Sequence, residues 1–130
     1  MSKKLKPREV KWLDGPEEHD YPAAASYLQL IARQEIVGAL VERLKAGSIE
    51  HFKAKDILRA AKLPLLGPDN PHVASDLAKI SAGKELSPIL LVRGYLAQDL
   101  PLQIADGYHR VCACYRTDEN IDIPCILADL

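Results

Sequence analysis

The sequence predicts an α+β domain, a small mixed β-sheet with helices packed on it and a helical segment in front. Three observations carry that expectation. Ile36, Val37, Leu40, Val41 and Leu44 repeat at helical spacing. The continuous apolar run Ile89-Leu90-Leu91-Val92 reads as a buried strand. Between Leu102 and Arg116 an apolar run meets Asp106-Gly107 and gives way to a stripe of Tyr108, Val111, Cys112 and Tyr115, which is a strand, a tight turn and a helix start. An Asp-Gly hairpin is the alternative, but it would mix Arg110 and Arg116 with thiols on one face. Helices, short strand, helix, hairpin, helix and strand follow in order.

Length and charge narrow the function classes. The 130 residues suffice for one core without disulfides or a structural metal. Seventeen Lys and Arg against eighteen Asp and Glu leave no global field to attract nucleic acid or anionic lipid, so an anion site must be local. Three cysteines without paired metal-type spacing, no membrane-length apolar run and no secretory h-region lead us to expect a cytoplasmic protein with reduced thiols and no membrane contact.

In chain order, residues 1–20 form an expected mobile arm, basic at Lys3, Lys4, Lys6, Arg8 and Lys11 and then acidic at Asp14, Glu17, Glu18 and Asp20; only Trp12 suggests docking. Residues 21–47 are expected to be helical, with Pro22 in the first turn and Gly47 as the stop. Leu28, Leu30 and Ile31 belong to an earlier helix or to the same one kinked near Arg33-Gln34, and a homodimer through residues 22–46 is a possible use of this segment. Residues 48–130 make the main domain. Its first pieces are a strand near Ile49 and Phe52 running into a helical turn up to Lys62, and then the connector Leu63-Pro64-Leu65-Leu66-Gly67-Pro68. Asn70-Pro71 announces a capped helix ending near Gly83. Ser87 to Arg93 pairs with the run ending at Ala105, and Ile121 to Leu127 is the last strand, with Pro124 pointing to an edge or a strand start.

Two features point to chemistry. At a helix start, unpaired amides and the positive end of the dipole favour anions; with His109 and Arg110 beside Gly107 and Tyr108, the turn is a phosphate or carboxylate receptor. On the preceding helix His72, Ser75 and Lys79 share a polar arc, opposite Val73, Leu77 and Ile80. Asp106, standing before Gly107, closes the turn or caps the helix. A metal site from His109, Cys112 and Cys114 is a third candidate, disfavoured because these positions diverge around a helix.

With these residues in view, the stretch from about Phe52 to Leu130, roughly 60% of the chain, resembles the ParB/sulfiredoxin superfamily through Asn70-Pro71, Ser87-Pro88-Ile89-Leu90-Leu91-Val92 and Asp106-Gly107-Tyr108-His109-Arg110-Val111. The resemblance implies a nucleotide, ATP or ADP with Mg²⁺, whose contacts fall on His72, Ser75, Lys79, His109 and Arg110. Tyr108 stands where sulfiredoxins carry their nucleophilic cysteine, so reduction of cysteine sulfinic acid is not expected. Partition proteins of the superfamily continue into helix-turn-helix segments, whereas this chain stops at Leu130, so specific DNA binding is not expected either. The turn is most similar to that of the free-serine-kinase branch, which implies phosphoryl transfer to a small hydroxyl acceptor, with Asp106 and His109 as catalytic candidates and Asp106 as the contact to the metal or the acceptor hydroxyl. A non-catalytic nucleotide-sensing or protein-interaction module is the alternative.

Overall fold

The computed structural model describes residues 9–130. The basic residues Lys3, Lys4, Lys6 and Arg8 lie outside the described residues. The chain is α+β, and its elements run β1 (Lys11–Trp12), α1 (Asp20–Leu28), α2 (Gln34–Ala46), β2 (Glu50–Lys53), α3 (Ala54–Ala61), α4 (Pro71–Ser81), β3 (Glu85–Leu86), β4 (Ile89–Val92), β5 (Gln103–Asp106), α5 (Tyr108–Thr117) and β6 (Asp122–Ala128). A four-stranded sheet has the order β2-β6-β4-β5. Its β2–β6 and β4–β5 pairs are antiparallel and β4–β6 is parallel.

Strand periodicity sorts the core into two halves, because successive side chains point to opposite faces. Ile89, Leu91, Ile104, Ile123 and Cys125 meet Ile57, Val73, Ile80, Val111 and Cys112 of α3, α4 and α5. On the other face Leu90, Val92, Ala105, Ile126 and Ala128 meet Ala24, Leu28, Leu40 and Leu44 of α1 and α2. All four residues of β4 are therefore buried, which is why that segment is apolar without alternation.

Of the two alternatives for the helical segment, the separate earlier helix is the one observed, α1 and α2 being parted by a turn and by Arg33 in an extended conformation. Other expectations need correction. Leu30 and Ile31 lie in that turn, exposed at 80% and 54%, and join no helical stripe. The mobile arm expected over residues 1–20 does not reach the later residues of that range: β1 pairs in parallel with β3, and Val10 and Trp12 pack on the main core. Pro124 marks no edge, since β6 is flanked by both β2 and β4. Pairing with β4 begins one residue later, at Cys125 opposite Ile89, so the proline's missing N–H is not needed on that side.

Asn70 positions α4 as expected. Its Oδ1 accepts from the backbone N–H of His72 at 2.9 Å and of Val73 at 3.2 Å, with Pro71 as the first helical residue. Asn70→Ala is expected to lower stability by about 1 kcal/mol in urea unfolding, the usual cost of losing such a cap. An unchanged midpoint would show that the cap bonds contribute nothing.

Candidate functional site

α4 and α5 lie side by side on the sheet, and the N-terminal turn of α5 opens beside the polar face of α4. A polar cleft of about 210 Å³ lies there, lined by His72, Ser75, Asp76, Lys79, Asp106, Gly107, His109 and Arg110. Residues more than 30 positions apart are thus brought to one place. Gly107 makes the corner: its φ is +115°, and Val111 N–H closes the first α5 turn on its carbonyl at 3.0 Å. No side chain caps α5, so its first amides are available to a ligand.

His72 and His109 face each other, with ring centroids 4.7 Å apart and planes tilted by 39°. Burial holds the His109 imidazole below its ordinary pKa, the neighbouring His72 pushes the same way, and Asp76 opposes them. Lys79 Nζ is 3.9 Å from Asp76 Oδ1. Burial raises the Asp76 carboxyl, against the pull of Lys79, Arg110, His109 and His72. His72, Ser75 and Lys79 are exposed on the α4 side, while the α5 wall is half-buried.

Arg110 is employed differently from the expectation. One terminal nitrogen donates to the Ser87 carbonyl at 2.6 Å, the Pro88 carbonyl at 3.3 Å and the Ser87 hydroxyl; the other donates to Asp106 Oδ2 at 2.6 Å. The guanidinium therefore ties α5 to the lead-in of β4 and the end of β5, and its charge is balanced by Asp106. Asp106 in turn neither caps α5 nor stands free as a catalytic carboxylate. Burial raises its pKa, Arg110 counteracts this, and Asp20 at the start of α1, only 3% exposed, adds to the rise.

Tyr108, expected among the phosphate contacts, directs its side chain elsewhere. Its hydroxyl donates to the Pro64 carbonyl at 2.5 Å, and only its backbone N–H remains as a first-turn donor of α5. Cys112 and Cys114 are buried in the core, and burial pushes the Cys114 thiol up to about 12. They do not join His109 in a ligand set, and among the described residues no group of three or more His, Cys, Asp or Glu is placed to hold a metal ion.

Sequence reasoning missed Asp76, Asp20 and Ser87. Asp76 was findable, since at 100° per residue it falls on the arc shared by His72, Ser75 and Lys79. Asp20 carries no local signal.

Fold and cleft together define a class: a small α+β domain with a polar cleft between two helices. Comparison of the chain with family models, curated proteins and solved structures found no match. Among the described residues no helix is long and apolar enough to cross a membrane.

Proposed function

We propose that this chain is a ParB/sulfiredoxin-like protein whose α4–α5 cleft receives the phosphates of a nucleotide of the ATP or ADP class. One observation carries the reading: Lys79, Ser75 and His72 of α4 converge with His109 and the uncapped start of α5 on a single polar cleft. At about 210 Å³ it holds phosphate groups and leaves a nucleoside outside. Mg²⁺ would arrive on those phosphates and supply positive charge. Asp76 is the carboxylate left to meet it, because Asp106 is paired with Arg110.

Charge balance sets the behaviour of such a site. Lys79 and Arg110 are balanced by Asp76 and Asp106, so amides and hydroxyl do most of the work. A bound anion stabilises protonated His109 and opposes the burial that holds its pKa down. Binding should therefore take up protons, and affinity should rise as pH falls through the histidine range. Sulfate, whose own charge is constant there, is expected to bind roughly tenfold tighter at about pH 5.5 than at about pH 7.5, a free-energy change of about 1.4 kcal/mol. Calorimetry in buffers of different ionisation enthalpy reads the uptake directly, and pH-independent binding would contradict it.

The functional test is a titration of ATP, ADP, AMP and pyrophosphate, each with and without Mg²⁺, followed by thermal shift and calorimetry. A ligand at a hundred times its Kd should add about 2.7 kcal/mol of stability. Lys79→Ala is expected to weaken binding about tenfold, the scale of one charged hydrogen bond at a partly exposed site. No response to any of the four at millimolar concentration would end this reading.

Phosphoryl transfer to a small hydroxyl acceptor is the enzymatic form of the proposal. There His109, with its lowered pKa, is the base placed to take the hydroxyl proton, and ³¹P NMR with a panel of small alcohols and amino-acid hydroxyls would detect transfer. Nucleotide sensing without turnover is the second reading, favoured by the Asp106–Arg110 bridge that occupies the other catalytic candidate. We place this function in the cytoplasm. Self-association through residues 22–46 would use the exposed Leu30 and Ile31, and sedimentation velocity checks it.

A further inference from the structure

The α4–α5 cleft is rich in donors. Lys79, the Ser75 hydroxyl, the His72 and His109 rings and the first amides of α5 can each give a hydrogen bond to an anion. Two carboxylates stand among them, and only one is committed. Asp106 Oδ2 receives the Arg110 guanidinium at 2.6 Å. The ion pair of Asp76 with Lys79 Nζ is 3.9 Å long, beyond hydrogen-bond reach, and none of the hydrogen bonds among the described residues ends on the Asp76 oxygens. Flanked on α4 by His72 and Lys79 and faced by His109 and Arg110 of α5, Asp76 lines the space an anion would take. Its side chain is only 14% exposed, so water solvates it poorly there.

A carboxylate can only accept hydrogen bonds. Beside an anion whose oxygens also only accept, it repels; beside one that keeps a hydroxyl, it is a partner. The contrast is sharpened by burial, because an acceptor that has lost water and gained no donor carries the full cost of its desolvation. A site built to take a hydroxyl hydrogen therefore discriminates against the analogue that lacks one. A single repulsive group is enough to separate two ligands of like size and charge.

We propose that Asp76 makes the cleft selective for a phosphoryl group that keeps a proton, such as hydrogenphosphate or the terminal phosphate of a nucleotide. Sulfate and the internal phosphate of a diester have no proton to give and are disfavoured. The inference rests on the reading of the cleft as a phosphate receptor and deepens it. Lys79, Ser75 and the α5 amides hold the acceptor oxygens, and Asp76 takes the P–OH hydrogen. A Mg²⁺ ion carried on the phosphates would offset the same carboxylate by charge, so the discrimination is read with metal excluded.

The test uses the full chain with a chelator at about pH 7.5, where hydrogenphosphate predominates and matches sulfate and fluorophosphate in charge. Of these ions only hydrogenphosphate carries a hydroxyl. Backbone amide NMR signals of Gly107 to Arg110 read occupancy of the cleft. Hydrogenphosphate is expected to bind about tenfold tighter, or more, than either other ion, the scale of one acceptor satisfied or left bare. In Asp76→Asn the side-chain amide can donate, so the hydroxyl-free ions should bind more tightly and the ratio should fall close to one. Loss of a negative charge by itself would raise all three affinities alike, so the ratio isolates the hydrogen bond. Lys79→Ala should weaken all three and leave the ratio in place. Equal affinities in the unaltered chain, or an undiminished ratio in Asp76→Asn, would overturn the inference and leave the cleft reading standing. No shift of those amides with any of the ions at millimolar concentration would overturn it as well, and the cleft reading is then judged by the nucleotide titration. If Asp76→Asn does not fold, hydrogenphosphate against fluorophosphate in the unaltered chain decides alone.

Discussion

Gly107→Ala is expected to destabilise the protein by about 3–5 kcal/mol, combining the strain of a disfavoured backbone conformation with overpacking in a closed core. The residue has a φ of +115°, which L side chains rarely adopt, and a Cβ built there overlaps the Ile89 Cγ2 methyl. Ile89 has no room to retreat, being fully buried at the start of β4. Both causes act at the corner that aims the first amides of α5 into the cleft, so sulfate or nucleotide affinity should fall together with stability. At this chain length the loss corresponds to a melting temperature lower by about 10–20 °C. A double-mutant cycle with Ile89→Ala separates the two causes, because removing Cγ2 relieves the overlap and leaves the backbone strain; the pair should cost less than the sum of the singles. A Gly107→Ala loss below about 1 kcal/mol would show that the corner relaxes freely.

Arg110→Ala carries the second large effect, about 3–5 kcal/mol, because it leaves a half-buried carboxylate without its counter-charge. Asp106 would then face the buried Asp20 without its guanidinium partner, and the Ser87 and Pro88 carbonyls would lose their donor. Lysine should not rescue the variant, since a single ammonium cannot reach Asp106 and Ser87 in the forked arrangement of a guanidinium. The loss has a signed pH dependence. Burial already holds Asp106 above its ordinary value of 3.8, so the folded state binds more protons than the unfolded one as pH rises from there, and stability falls across that window. Removing Arg110 takes away the charge that limits the rise and widens the window. The cost of Arg110→Ala should therefore be larger at about pH 7.5 than at about pH 5, and Asp106→Asn in the same chain should recover part of it. Urea unfolding at the two pH values measures this, and a pH-independent cost would mean that Asp106 is not the group left stranded.

What could be read from the chain was whatever depends on neighbours in sequence. Asn70-Pro71, the continuous apolar run of β4 and the stripe of α5 each declare their structure within a few residues, and the observed elements follow them. The residues that surround the cleft were also within reach, because helical spacing aligns His72, Ser75 and Lys79 and a glycine turn precedes His109. Partnership was hidden. A guanidinium at a helix start reads as a free anion ligand until Ser87 and Asp106 are seen to occupy it. Asp20 reaches Asp106 from the far side of the sequence. The two-residue pairing of β1 with β3 is too short to leave a pattern, and the interior place of β6 was masked by Pro124, which suits an edge by its chemistry and is tolerated here only because β4 begins opposite the next residue.

The strand that joins the two halves of the sheet is also the last of that sheet's four to be synthesised. Until Asp122–Ala128 emerges, β2 has no partner and the β4–β5 hairpin presents an unpaired flank of large aliphatic residues. Long-range parallel pairing of this kind, here β4 with β6, is intrinsically slow to form. A nascent chain halted a few residues short would be a substrate for chaperones and proteases, with its hairpin edge exposed to aggregation.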